Sequence, residues 1–389
     1  MSNLDNLLAS REMVLVAGSG GVGKTTIAAA MGIAAAQRQR GKILVLTVDP
    51  ARRLAAALGL EEVGNTPVRI MPAVFKQAGL KVRGQLWVAM LDTKAGWDEL
   101  IRCHAPNKQV RDAVLANPLY QNITSRFVHS HDYLAMEQLH DLHATGEFDL
   151  VIVDTPPSRN ALSILDAPGR MVDFFGSRLL RWLTVPYRSR LFTVASKPFY
   201  QVADRVLGSR FLQDIAEFFI LFQAMESGFV KRARSVEALL ADARTAFVVV
   251  TTLETAPAHE ARFLAQELLK RNMTLGAIVA NRVLPNELAG AAAAGSAEAL
   301  RSRSGRELAE ALAAQLDEAP VAVIDTVLSQ LAERFDDVAL VAALETERRE
   351  ELASLSPLML DVPWLSGEIH DIAGLGGLVD RLRVDSTEI

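Results

Sequence analysis

Short runs of apolar, β-branched residues recur along this chain, separated by longer stretches with helical periodicity. The runs fall at 13–17, 42–49, 86–92, 149–154, 246–252, 276–281 and 358–362. They are nearly continuous in hydrophobicity rather than alternating, as in parallel strands buried on both faces. Strand followed by helix, repeated, predicts an α/β protein: a doubly wound, mostly parallel sheet with its ligand at the carboxyl edge of the strands. The alternation stops between about 169 and 245. There Phe211, Phe218, Phe219, Phe222 and Met225 follow helical spacing, and Pro186 and Pro198 punctuate the stretch. This predicts an inserted helical subdomain at 169–245, between a first core part at 1–168 and a second at 246–389. From 285 to about 356 the chain is rich in Ala, Glu and Arg, which reads as long helices. Residues 291–295, four alanines and a glycine, read as a mobile connection. The segment 321–325 has strand propensity, but its flanking pattern assigns it to helix.

The chemistry begins where the first strand ends. Gly18, Ser19, Gly20, Gly21, Val22, Gly23, Lys24, Thr25 and Thr26 follow an apolar strand and precede a helical run. The glycines let the backbone curl so that its N–H groups face phosphate oxygens, and the helix N-terminus adds partial positive charge. Lys24 can reach the β/γ-phosphates and the Thr25 hydroxyl can ligate Mg²⁺. The chain is therefore read as binding a nucleoside triphosphate. Two acids end strands at the same edge: Asp49, before Pro50 and Ala51, and Asp154, before Thr155, Pro156 and Pro157. A pair of this kind can support a magnesium ion and orient the attacking water; a helix N-cap is the alternative role for each.

Bulk properties narrow the class. The 389 residues carry a net charge of −5, which argues against a nucleic-acid binder. Cys103 is the only cysteine, so an intrachain disulfide is excluded. No stretch has the ~18 uninterrupted apolar residues of a membrane span, and the first residues show no signal-peptide pattern. A cytoplasmic protein is expected. His129, His131, His140 and His143 crowd one region, and Glu137 with His140 has the spacing of a di-metal helix. The second such pair is missing, so a partly buried helix face is the better reading.

The loop at 18–26, the Asp49-Pro50-Ala51 triplet and the run from Asp154 to Ser158 resemble the ArsA family of P-loop NTPases, in the MinD/ParA superfamily. It comprises arsenite-pump ATPases and the Get-pathway ATPases that target tail-anchored membrane proteins. Leu91 to Lys94 and the run to Leu162 are most similar to an ArsA-like branch of high-GC bacteria. The resemblance implies ATP and Mg²⁺ as cofactors, Asp49 as the water-orienting acid and Asp154 behind the metal. It implies adenine-side roles for Asn281, Arg282 and Pro363, and a further nucleotide contact at Glu254. It also implies a nucleotide-sandwich dimer and a hydrophobic client or membrane-protein partner. An anion-pump subunit and a ParA/MinD-like positioning switch are the rival functions. The second needs a basic amphipathic C-terminal helix, which the glycines and acids of 374–385 fit poorly.

The chain also departs from the family. Ser19 stands where the family has a lysine that reaches the partner's phosphates, so a homodimer would lack that charge, and a heterodimer with a lysine-bearing paralogue would restore it. Arg52, Arg53 and Arg159 are candidate substitutes, and Arg159 can equally be a solvated loop residue. Cys103 alone makes neither the family's zinc site nor its arsenite site. A superfamily iron protein needs more cysteines than one.

Overall fold

The computed structural model describes residues 2–47, 58, 64–90, 93–123, 130–155, 163–176, 218–221, 223–288, 291–316, 320–365, 367 and 369–383. The strands are β1 (Met13–Ala17), β2 (Lys42–Thr47), β3 (Val68–Arg69), β4 (Gln85–Met90), β5 (Leu150–Asp154), β6 (Thr245–Thr251), β7 (Leu275–Val283) and β8 (Met359–Pro363). They form one eight-stranded sheet in the order β3-β4-β2-β5-β1-β6-β7-β8. Every neighbouring pair is parallel except β3 with β4. The seven apolar runs each become a strand, and β3 is the addition. Two residues on an antiparallel edge are too short to show a period.

The helices are α1 (Asn3–Ala9), α2 (Lys24–Arg38), α3 (Pro72–Gln77), α4 (Thr93–His104), α5 (Lys108–Ala116), α6 (Pro118–Ile123) and α7 (Ser130–Ala144). After β5 come α8 (Ser163–Gly176), α9 (Glu226–Leu240), α10 (Thr255–Lys270), α11 (Ala291–Arg301), α12 (Arg303–Ala313), α13 (Val321–Ala353) and α14 (Ile372–Leu382). Strand parity divides the core. Val14, Val16, Ile43, Val45, Ile152 and Val248 face α1, α2 and α14. Leu15, Leu44, Leu46, Val151, Val153 and Val249 face the layer holding α4 to α10. Both faces are dry, which is why these strands read as unbroken apolar runs.

α2 approaches β2 closely because Gly32 has no side chain; a Cβ there would overlap Val45. α14 buries Ile372, Leu375, Leu378, Val379 and Leu382. Arg383 after it donates to Asp5 Oδ1 at 3.2 Å and Gln37 Oε1 at 2.7 Å. The C-terminal apolar face thus packs on the first helices, in keeping with its poor fit to a membrane-surface helix. No described helix is long and apolar enough to cross a membrane.

One expectation needs correction. The small-residue stretch at 291–295 is the first turn of α11, not a connection. Alanine is the strongest helix former, and α11 leans on α13, so low side-chain information is not low order. The segment 321–325 opens α13, a 33-residue helix, as its flanks indicated.

Within the helical stretch expected at 169–245, Phe218 and Met225 are buried in the sheet-facing core, with Phe219 packed against it. Phe211 and Phe222 lie outside the described residues, as do Pro186 and Pro198. At Phe218 and Met225 the helical periodicity serves the core. The return helix α9 is stapled to α7 by Arg232. Its Nε donates to buried Glu137 Oε2 at 2.8 Å, Nη1 meets His140 Nδ1 at 2.8 Å, and Nη2 pairs with Asp141. His143 Nε2 lies 3.0 Å from Glu12 Oε2. The Glu137–His140 pair is thus part of an ion-paired helix contact. No group of three or more metal-ligating side chains occurs among the described residues.

This contact carries a pH dependence. Burial, and then the Arg232 charge, lower the pKa of both His104 and His140 from the ordinary 6.5. The unfolded chain therefore takes up protons on acidification before the folded chain does, and folding stability falls as pH drops below about 6.5. Urea midpoints should decrease between about pH 7.5 and pH 5.5, and His140→Asn, which keeps an acceptor for Arg232, should flatten part of the slope. A midpoint that holds or rises on acidification would contradict this.

Candidate nucleotide site

The carboxyl ends of β1, β5, β6 and β7 surround one loop. Gly18 leaves β1 with φ of 152°, and a Cβ there would overlap the Val250 carbonyl oxygen of β6. Gly21 and Gly23 have φ of 81° and 97°. A Cβ on Gly23 would overlap the Asn281 side chain. These glycines hold left-handed backbone while the loop lies tight against two strands. Gly23 then caps α2, placing Lys24, Thr25 and Thr26 in its first turn.

Lys24 is buried, and its Nζ donates to the Ser19 carbonyl at 2.8 Å across the loop. Thr25 Oγ1 donates to Asp154 Oδ2 at 2.6 Å. Asp154 is fully buried at the end of β5, in register with Val16 of β1 and Thr47 of β2. Thr155 follows, and both its N–H (3.2 Å) and its hydroxyl (2.9 Å) donate to the Val16 carbonyl. The loop and the acid are thereby fixed to each other through β1. Ser19 Oγ is buried and has no hydrogen-bond partner among the described residues. Gly20 and Gly21 are exposed, while Val22 is buried beneath the loop.

Asn281, half-buried near the end of β7, donates from Nδ2 to the Val22 carbonyl at 2.8 Å. It therefore braces the loop as well as standing beside it. Arg282 is exposed with φ of 63°, where the β7–β8 register shifts between Asn281 and Val283. Pro363 pairs with Val283 at the end of β8, and the Trp364 N–H donates to the Val283 carbonyl at 3.0 Å. Glu254 is exposed at the N-cap of α10, one short connection after β6. The loop, Asp154 and Asn281 thus form one contiguous group, with Glu254, Arg282 and Pro363 at neighbouring strand ends. Asp49, Arg52, Arg53 and Arg159 lie outside the described residues.

Chemically, the group offers loop N–H donors, one ammonium, and a hydroxyl–carboxylate pair of hard oxygens. Such a pair suits Mg²⁺ rather than a softer ion, with the hydroxyl of Thr25 outermost and Asp154 behind it. Sequence reading missed Thr47, whose hydroxyl donates to Asp154 Oδ2 at 2.8 Å. Its signal was a single hydroxyl-bearing residue at the end of an apolar strand.

Residues 11–311 match the family model described as anion-transporting ATPase. An uncharacterized protein of Streptomyces coelicolor is 29% identical over 276 residues, 70% of this chain and 63% of that protein. An ATPase ASNA1 homolog of Entamoeba dispar is 23% identical over 288 residues, 73% of this chain and 80% of that protein. An arsenical pump-driving ATPase of Acidiphilium multivorum is 27% identical over 359 residues, 92% of this chain and 53% of that protein. The chain thus spans less than two thirds of the Streptomyces protein and about half of the Acidiphilium one. The matched span contains the loop, Asp154 and Asn281, while Pro363 lies beyond it.

The two loop glycines should respond differently to a methyl group. Gly21 has open space around its Cβ position, so Gly21→Ala meets only left-handed strain, about 1–2 kcal/mol. Gly18→Ala must also displace the β6 backbone, so it should cost clearly more and loosen the loop. Chemical denaturation of the two variants checks the order; equal costs would mean that the loop does not press on β6.

Proposed function

Because this chain belongs to the anion-transporting ATPase family, we propose that it is a Mg²⁺-dependent ATP hydrolase that couples nucleotide-driven dimer closure to handling a hydrophobic client or partner protein. The observation carrying the nucleotide part is the convergence of Lys24, Thr25 and Asp154 at a glycine loop opening a helix. Loop N–H groups and Lys24 would hold the phosphates, Lys24 exchanging its present Ser19 carbonyl partner for phosphate oxygens. Magnesium, arriving with the nucleotide, neutralises phosphate charge. The Thr25 hydroxyl would ligate it, and Asp154 would keep that hydroxyl oriented. Asp49 would take the proton from, or orient, the attacking water. Asn281, already fixed beside the loop, would present its remaining amide oxygen to the adenine edge, with Arg282, Pro363 and Glu254 around the nucleoside.

The client part of this reading rests on what resemblance to this family implies and on the apolar sequence of 169–245, much of which lies outside the described residues; of its apolar positions, Phe218 and Met225 serve the core. The names of relatives point to two settings, arsenical pumping and ASNA1-type ATPases. The lone Cys103 favours the second, because arsenite ligation takes several thiols. Ser19 places a constraint on assembly. A positive charge supplied across a dimer at a phosphoryl-transfer site contributes up to several kcal/mol to the transition state. With serine there, a homodimer turns over slowly unless Arg52, Arg53 or Arg159 supplies the charge, or a lysine-bearing paralogue completes the site in a heterodimer. We favour the paralogue.

Lys24→Ala should abolish ATP affinity in calorimetry, and unchanged affinity in a folded variant would refute the site. Asp49→Asn should keep binding and slow turnover by about 10²–10⁴-fold, since the amide cannot accept a proton. Near-normal turnover would move that role to another acid. The assembly question is read from turnover of the chain alone, with a lysine-bearing paralogue, and as Ser19→Lys. A chain that alone matches Ser19→Lys, with no paralogue binding, would sink the heterodimer.

A further inference from the structure

Thr47 is the last residue of β2 and is 2% exposed. It stands opposite Asp154 in the parallel β2–β5 register, and its hydroxyl donates to Asp154 Oδ2 at 2.8 Å. The same oxygen accepts from Thr25 Oγ1 at 2.6 Å. The two donors differ in their surroundings. Thr25 is half-exposed in the first turn of α2, directly after the loop, and its oxygen is the one proposed above to ligate magnesium. Thr47 belongs to the sheet itself, between β4 and β5, and has no exposed face to move into.

Packing alone does not call for a hydroxyl there. The preceding residues Ile43, Leu44, Val45 and Leu46 are fully buried hydrocarbons. A valine would fill the same volume, favour the strand equally, and avoid burying a polar group. The hydroxyl is accounted for by the carboxylate it meets. We propose that Thr47 is a positioning residue for magnesium–nucleotide binding, holding Asp154 in the rotation at which Thr25 can rest against it, whether or not the loop is loaded. The proposal depends on the ATPase reading given above.

The test uses Thr47→Val, which keeps shape and β-branching, with ADP as the probe titrated by calorimetry in EDTA and across a magnesium series. ADP affinity in EDTA should match the unaltered chain, which certifies the fold and the loop. The magnesium concentration giving half of the affinity gain should rise about 10- to 100-fold, the usual effect of removing a partner behind a metal ligand. Thr47→Ser should restore most of it, because the donor returns. An unchanged magnesium midpoint in Thr47→Val would overturn the proposal. So would an equal loss of affinity in EDTA, which marks a merely structural role. If the unaltered chain binds no ADP under either condition, the ATPase reading itself fails. That result is distinct, because it appears before any substitution is made.

Discussion

The site depends on one buried carboxylate at a junction of strands. Asp154 has no exposed surface, so its charge must be met by donors fixed before any ligand arrives. β1, β2 and β5 lie side by side there, and parallel registry brings Val16, Thr47 and Asp154 to one level. Thr47 and Thr25 both donate to a single oxygen, while Thr155 ties the following turn to β1. Moving any of the three strands along its axis by one residue would leave the carboxylate without these partners. The cost of an unmet buried charge therefore selects the register, and the register sets the height of the phosphate loop above the sheet.

The loop is constrained from its other side by contact rather than charge. Gly18 lies against the Val250 carbonyl, and Gly23 lies against Asn281, whose amide bonds the Val22 carbonyl. β6 and β7 act as the floor of the loop. Asn281 thus has two demands on one side chain in the proposed function: its N–H₂ group braces the backbone, and its carbonyl oxygen is the part proposed to meet the nucleotide. An asparagine suits this division because it carries a donor and an acceptor on a short, planar group. A carboxylate at that position would set two oxygens against the Val22 carbonyl and push the loop away.

Much of this was legible in the sequence, for a physical reason. Strands buried on both faces must be apolar throughout, so seven of the eight were visible as runs, with ends within about two residues. The loop was visible because its glycines and Lys24 follow from phosphate geometry at fixed spacing. What was not legible depends on contacts distant in sequence. Thr47 looks like any strand residue until β5 is placed beside it, and β3 has too few residues to show a pattern. Arg232 is 95 residues from Glu137, so nothing local marks it as that acid's partner. The 291–295 segment misled for the opposite reason, because alanine carries little pattern yet favours helix strongly.

The Arg232 contact shows how the helical layer is kept in order without enlarging its core. α7 leads into β5, and α9 leads into β6, so the two helices flank the strands that carry Asp154 and floor the loop. Beside the buried hydrocarbon that both helices contribute to one core, a single guanidinium meets Glu137, His140 and Asp141 on one face of α7. Apolar surfaces can slide past one another at little cost, whereas a planar fork with several fixed acceptors permits one register. With Glu137 buried, losing the arginine would remove a charged donor held 2.8 Å from its carboxylate. The same logic governs Asp5, buried between Arg38 and Arg383, where the first and last helices meet. At both places a buried acid fixes the relation between distant segments, as Asp154 does at the site. The sheet's hydrocarbon provides cohesion, and these few acids determine alignment.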